Sequence, residues 1–287
     1  MKKHKICKIL LVILAIFLCV AFYELLGICV AYKKQPEVSN TTKKETKNGS
    51  WNECSENTER AVIIEKNPEA LLQRVRLIKN AKKEIILSTF AFQSDESGKL
   101  ILGALHDAAD RGVHIRLLVD GMESWIDMEG NPYFYGLSSH ENVEIKLYNK
   151  ANPLKPWEMM GRMHDKYLIA DGKRYILGGR NTYNYFLGDF PGHKNYDRDV
   201  LVVCDEPEKE NSVNQLLEYF ETIWEQEDSG YFHDNKKLAN RKSVKNAVLE
   251  LQNGYQKYFE ENKERICDTD YTDETFETEK IALVSNP

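Results

Sequence analysis

Ile9 to Tyr32 reads ILLVILAIFLCVAFYELLGICVAY, 24 residues with one charged side chain, Glu24. A water-facing helix of a globular domain is polar on one side, so a run that is apolar all round has to leave water as a unit. As a helix rising about 1.5 Å per residue, it reaches across a hydrocarbon layer of ~30 Å. If the span covers residues 9–28, Glu24 falls near one interface, where a carboxylate costs far less than at mid-bilayer. The alternative is a cleaved secretory signal, because Lys2, Lys3, Lys5 and Lys8 make a basic start and Cys19-Val20-Ala21 is an acceptable small-residue site. The apolar run continues past that site, which favours an uncleaved anchor. Orientation is set weakly, since Lys33, Lys34, Lys43, Lys44 and Lys47 nearly balance the four lysines ahead of the run. The expectation is a single-pass membrane protein with its main domain on the exported side.

The rest of the chain differs in charge. The first 34 residues hold six Lys and one Glu, a net +5, and the whole chain carries −6, which leaves −11 for the remainder. An acidic body has no electrostatic footprint for a phosphate backbone, so nucleic acid is a disfavoured partner. The six Cys form no CxxC and no Cys/His cluster at zinc-ligand spacing, and neither metal nor cofactor is expected. Cys204, in an apolar run, reads as a buried strand residue, while Cys54 and Cys267 could pair in an exported domain.

Residues 33–58 are rich in Asn, Ser, Thr and Lys and read as a polar tether after an anchor of residues 1–32. Asn40 and Asn48 fit the glycosylation pattern, a match short enough to arise by chance. Helical and strand patterns then alternate. Pro68 to Lys82 is helical, Glu84 to Phe92 a buried strand, Gly98 to Arg111 a helix stopped by Gly112, and Val113 to Val119 and Val143 to Tyr148 are strands. This alternation predicts an α/β/α sandwich on a mixed, largely parallel sheet. Residues 120–136, dense in aromatics and Gly, read as a long loop after a strand, with Trp125 a candidate for the lip of a substrate site. The plainer reading is that Trp125, Tyr133, Phe134 and Tyr135 pack over the sheet edge.

Residues 162–184, RMHDKYLIADGKRYILGGRNTYN, hold the densest chemistry. In a strand, residues i and i+2 share a face, so His164 and Lys166 project together while Asp165 points away. Asp171-Gly172 supplies a turn, and the return strand brings Asn181 back beside His164. Gly178 and Gly179 leave out side chains where backbone comes close to a neighbour or a ligand. His164, Lys166, Asp171, Gly178, Gly179 and Asn181 fit H-x-K-x4-D-x6-G-[GS]-x-N, and five strict identities at that spacing arise by accident in well under roughly one chain in a thousand.

The pattern resembles the HKD signature of the phospholipase D superfamily. The resemblance implies a phosphodiester substrate, with His164 attacking phosphorus to give a phosphohistidine intermediate. A phosphodiester is an anion, so its cleavage needs positive charge and amide donors on the non-bridging oxygens, roles suited to Lys166 and Asn181. Neutral imidazole is a nucleophile at physiological pH without a metal. Asp171 belongs to the signature, with a largely architectural part in holding the turn. Arg198-Asp199 before Val200 looks like the arginine-aspartate entering a strand in cardiolipin synthase-like members; there Asp199 would orient the His164 ring, and Arg198 is a second lip candidate. Plain strand-entry charges at Asp197 and Asp199 are the alternative. Residues 89–121 also look like the first half of cardiolipin synthases, and the likeness runs from about Val62 to Trp224.

That likeness covers one catalytic half, within an expected catalytic domain of residues 59–232. The superfamily mechanism uses two motifs, the second His protonating the leaving group and then activating water or an alcohol. His106, His114, His140, His193 and His233 have no such context. The second motif is therefore expected from a homodimer mate, from a separate chain, or from the second half of a two-motif protein of which this chain is the front half, the reading that residues 280–287 favour. Residues 233–287 read as a helix, an acidic linker and KIALVSNP, the first strand of a second half, with an edge strand on the existing sheet as the alternative. Three functions remain open: a membrane-tethered phosphodiesterase or phosphatidyltransferase on phospholipids, a single-motif homodimeric nuclease, and a silent half-site that needs a partner chain.

Overall fold

A computed structural model describes residues 2–33, 43–44, 59–204, 211–233, 235–279 and 281–283. The expected tether, both Asn-x-Ser/Thr sites and Cys54 lie outside the described residues, apart from Lys33, Lys43 and Lys44 in the tether; Cys267 is exposed and free. Helix α1 (Lys2–Lys33) contains the apolar run, and its His4–Lys33 stretch is long and apolar enough to cross a membrane.

The domain is an α/β sandwich built on one nine-stranded sheet, in the order β8-β4-β3-β2-β5-β6-β7-β1-β9. Its strands are β1 (Glu59–Ile64), β2 (Glu84–Thr89), β3 (His114–Asp120), β4 (Val143–Tyr148), β5 (Lys166–Ala170), β6 (Arg174–Gly178), β7 (Asp199–Val203), β8 (Ser229–Tyr231) and β9 (Phe276–Thr278). One face carries α2 (Asn67–Asn80), α3 (Glu96–Asp110), α5 (Pro132–Ser138) and α7 (Lys242–Glu261); the other carries α6 (Ser212–Trp224). The sheet is mixed, as expected. Its parallel portion is the central β4-β3-β2 block, where helical crossovers connect the strands, while β5 to β7 return antiparallel beside it. Between β5 and β6 the chain turns back through a tight hairpin, which has no room for the crossover that parallel pairing needs.

The helix boundaries follow local chemistry. Asp95 caps α3 by accepting the Gly98 amide at 3.1 Å, and Gly112 (φ +87°) ends it, with Val113 returning its amide to Ala108 O. Residues 120–136 are not a loop, contrary to expectation. Asp120 caps a short helix, α4 (Gly121–Asp127), and Asn131 caps α5, which begins with Pro132. Phe134 is fully buried edge-on to Phe92, so the aromatics of α5 are core, whereas Trp125 on α4 is 65% exposed.

Packing continues across the expected boundary at residue 232. The stripe of α7 lies against the domain itself: Gly103 of α3 approaches Leu251 and Tyr255 so closely that a Cβ would sit 2.7 Å from each. Helix α7 breaks after Glu261, and the chain resumes as α8 (Lys263–Cys267). Phe276–Thr278 pairs with the outer edge of β1, and Ile281 and Leu283 rest on the apolar cluster under α6. Of the expected KIALVSNP strand, Lys280 and residues 284–287 lie outside the described residues.

Candidate active site

The hairpin that carries the motif turns at Asp171 (φ +54°) and Gly172 (φ +62°), left-handed positions that Asp and Gly tolerate better than most residues. The Asp171 carboxylate accepts the amides of Lys82 (2.9 Å), Lys83 (2.7 Å) and Glu84 (3.0 Å), tying the turn to the start of β2. Seven residues of extended chain, about 23 Å, separate it from His164. Asp171 stands at the far end of the hairpin and anchors it through these bonds.

At the near end, β5 begins with Lys166, 6% exposed, and His164 stands just before it, open to solvent. The Lys166 ammonium donates to the carbonyl of His164 at 2.7 Å. Both surround Phe90 at the end of β2: the imidazole lies edge-on at 4.7 Å between centroids, and Lys166 Nζ is 5.5 Å from the ring centre. Asn181, 7% exposed, accepts the Ala91 amide through Oδ1 at 3.2 Å, one residue beyond Phe90. The hairpin thus gathers His164, Lys166 and Asn181 around Phe90-Ala91. Asp165 points to the opposite face and accepts from Tyr219 OH at 2.8 Å, as the strand alternation requires.

Electrostatics favour an uncharged imidazole. Partial burial holds the His164 pKa below its ordinary value, and the Lys166 ammonium lowers it further. Burial also lowers the Lys166 pKa, against the attraction of Asp165 and Asp197.

The two glycines leave room for carboxylates. A Cβ on Gly178 would lie 2.1 Å from Asp199 Oδ1 and 2.4 Å from the Arg198 carbonyl, and one on Gly179 would lie 2.0 Å from Asp197 Oδ2. Asp199 does not orient the His164 ring, which corrects the expected role. Its Oδ2 is paired with Arg74 (2.9 Å) and Arg180 (3.3 Å) in a fully buried cluster. Arg180 in turn donates to the carbonyls of Ile64 and Glu65 and to Asn67, so the cluster locks β7 and α2 to the backbone just before Asn181. Arg198 is largely exposed and pairs with Glu65 at 3.0 Å.

Sequence reasoning missed Arg162 and Asp120. Buried Asp120 accepts from Arg162 Nε at 2.8 Å and from the Met163 amide at 3.1 Å, clamping the residues that lead into His164. Arg162 also lies 5.0 Å over Phe90, so a second cation borders the imidazole. Its i−2 spacing from His164 was the available signal; its partner across the sheet was not visible. His106 and His140 meet at Asp110, His114 joins Glu84 and Glu144, His193 rests on Tyr185, and His233 pairs with Glu129. Among the described residues, no group of three or more His, Cys, Asp or Glu is arranged to hold a metal ion.

Comparison with known proteins gives the family and the fold. Residues 74–224 match the family model described as "Cardiolipin synthase, PLD-like domain", just over half of the 287-residue chain. An uncharacterised protein of Helicobacter pylori is 31% identical over 212 residues, 69% of this chain and 39% of its own length. Cardiolipin synthase C of Escherichia coli is 29% identical over 171 residues, 55% of this chain and 34% of its own length. The chain therefore spans less than two fifths of either relative. The crystal structure of phosphatidylserine synthase from Haemophilus influenzae shares the fold at a TM-score of 0.51 and 18% identity, covering 77% of this chain and 48% of that one.

Proposed function

Because the chain belongs to the family of cardiolipin synthase-type, phospholipase D-like domains, we propose that it is a membrane-tethered phosphodiesterase or phosphatidyltransferase acting on phospholipid phosphodiesters. The observation that carries this reading is the solvent-facing His164 beside the Lys166 ammonium, with partial burial and that cation both lowering the ring's pKa. A neutral imidazole is the nucleophile, and the adjoining cation attracts the anionic phosphodiester that would otherwise be repelled.

In the first step an imidazole nitrogen of His164 forms a bond to phosphorus as the bond to the leaving alcohol breaks. The alkoxide takes a proton from a general acid. In this reading Lys166, Arg162 and the Asn181 amide stabilise the negative charge that builds on the non-bridging oxygens. In the second step, the group that gave up its proton takes one from water or an alcohol as that oxygen attacks the phosphohistidine, the P–N bond breaks, and His164 returns to its neutral form. The general acid comes from a second motif, supplied by another copy of this chain or by a separate chain. Helix α1 keeps the site at the bilayer, with the domain on the exported side.

The test is incubation of detergent-solubilised protein with phosphatidylglycerol and with a soluble phosphodiester, native beside His164→Ala. Turnover and acid-labile phosphate on the protein are both expected to disappear in the variant, with a loss of roughly 10⁴-fold or more. Equal activity in the two proteins removes His164 from the mechanism. Cleavage of single-stranded DNA in preference to lipid would support a nuclease instead.

A further inference from the structure

The segment between β4 and β5 leads into His164 and presents apolar side chains to solvent. Leu154 is 79% exposed, Met160 51% and Trp157 43%. Single exposed apolar residues are ordinary, but three within seven residues at the edge of a reactive site mark a contact surface. The segment is braced from within: Asn149 donates to the carbonyls of Glu158 (2.5 Å) and Gly161 (2.7 Å), and Lys155 pairs with Glu158 at 3.1 Å.

This is also where α1 meets the domain. Tyr23 OH donates to the Leu154 carbonyl at 2.7 Å, the Tyr23 and Trp157 rings meet edge-on at 6.4 Å, and a Cβ on Gly27 would lie 2.3 Å from Pro156 Cγ. Ala21, Glu24, Gly27 and Ala31, at helical spacing, are the covered or half-covered positions on that side of α1. Tyr23 and Glu24 mark a level along the helix. Tyrosine favours the membrane–water boundary, and Glu24 is the first charge after Lys8. From Lys8 to Tyr23 the helix rises about 23 Å, and a lysine that reaches outward extends the span towards the ~30 Å of a hydrocarbon layer. Leu154 and Pro156, packed beside Tyr23 and Gly27, then sit at the boundary.

We propose that the loop of residues 150–161 rests in the headgroup layer of the bilayer that α1 crosses, with Leu154, Trp157 and Met160 entering the acyl boundary. The occupant is a phospholipid surface because the loop is continuous with the membrane helix through Tyr23 and Gly27. His164, three residues after Gly161, meets its substrate at that surface; this last step rests on the function proposed above.

The experiment uses the full chain in phosphatidylcholine and phosphatidylglycerol vesicles containing lipids brominated high on the acyl chain. Helix α1 has no Trp and Trp224 is buried, while Trp51 and Trp125 are common to both proteins, so the quenching lost in Trp157→Phe relative to native protein is the share expected from Trp157. Equal quenching in native and variant protein overturns the proposal. In a second arm, Leu154→Asp with Met160→Asp is expected to slow turnover of bilayer phosphatidylglycerol about tenfold and to leave a soluble phosphodiester unaffected. Unchanged bilayer turnover overturns it as well. If native protein cleaves neither substrate, the turnover arm falls with the proposed activity of this chain, and quenching still decides the loop on its own.

Discussion

His164 stands beside a buried ammonium, and the sign of that interaction can be measured. The positive charge of Lys166 opposes protonation of the ring, so replacing it with a neutral residue of similar length removes part of the penalty. In Lys166→Met the imidazole pKa, read by NMR, is expected to move up from its depressed native position, and the acid limb of kcat/KM to move up with it. A pKa that stays in place or falls would mean that burial alone sets the shift. Asp171 makes a different demand. Its carboxylate accepts three backbone amides at the far end of the hairpin, so Asp171→Ala is expected to lower stability by about 1–2 kcal/mol in urea unfolding. The His164 pKa should not change, because that turn lies about 23 Å of extended chain away.

The hairpin and its neighbour β7 work as one element through the buried cluster of Arg74, Arg180 and Asp199. Asp199→Asn leaves two guanidinium groups without their carboxylate in a site closed to water, and a loss of about 3–5 kcal/mol is expected from chemical denaturation. The adjacent glycines should respond unequally. A methyl on Gly178 meets the Arg198 backbone carbonyl, which cannot yield without moving β7, so Gly178→Ala is expected to cost about 1–3 kcal/mol. The nearest atoms to a methyl on Gly179 all belong to the Asp197 side chain, whose one exposed bond, from the neighbouring Arg198 amide at 2.7 Å, yields more easily than strand backbone. Gly179→Ala should therefore leave the denaturation midpoint nearly unchanged, and matching losses in the two variants would contradict this account of the strand.

At the scale of the molecule, α1 meets the domain through Tyr23, Gly27 and the β4–β5 loop, while the sheet and helices share their own core. Removal of residues 1–33 is expected to give a domain that stays in solution without detergent and unfolds within a few degrees of the full chain. Circular dichroism melts of the two proteins make the comparison, and loss of the cooperative transition in the shorter one would show that α1 is part of the core. The helix serves as an address for the site rather than as a support for the fold.

What the amino-acid order determined by itself was local or periodic. The apolar run, the strand and helix repeats and the spacing from His164 to Asn181 depend on residues near in sequence, and each has a direct physical reading. Tertiary structure alone decided which residues meet across long separations. Asp199 went to Arg74 and Arg180, Asp171 to the amides before β2, and Asp120 to Arg162, because buried charges take whatever partners the packed strands bring within reach. Two short helices replaced the expected loop at 120–136 because Asp120 and Asn131 cap them, signals outweighed in the sequence by Gly and aromatic content. Contacts of that kind carry no periodicity, and only the fold reveals them.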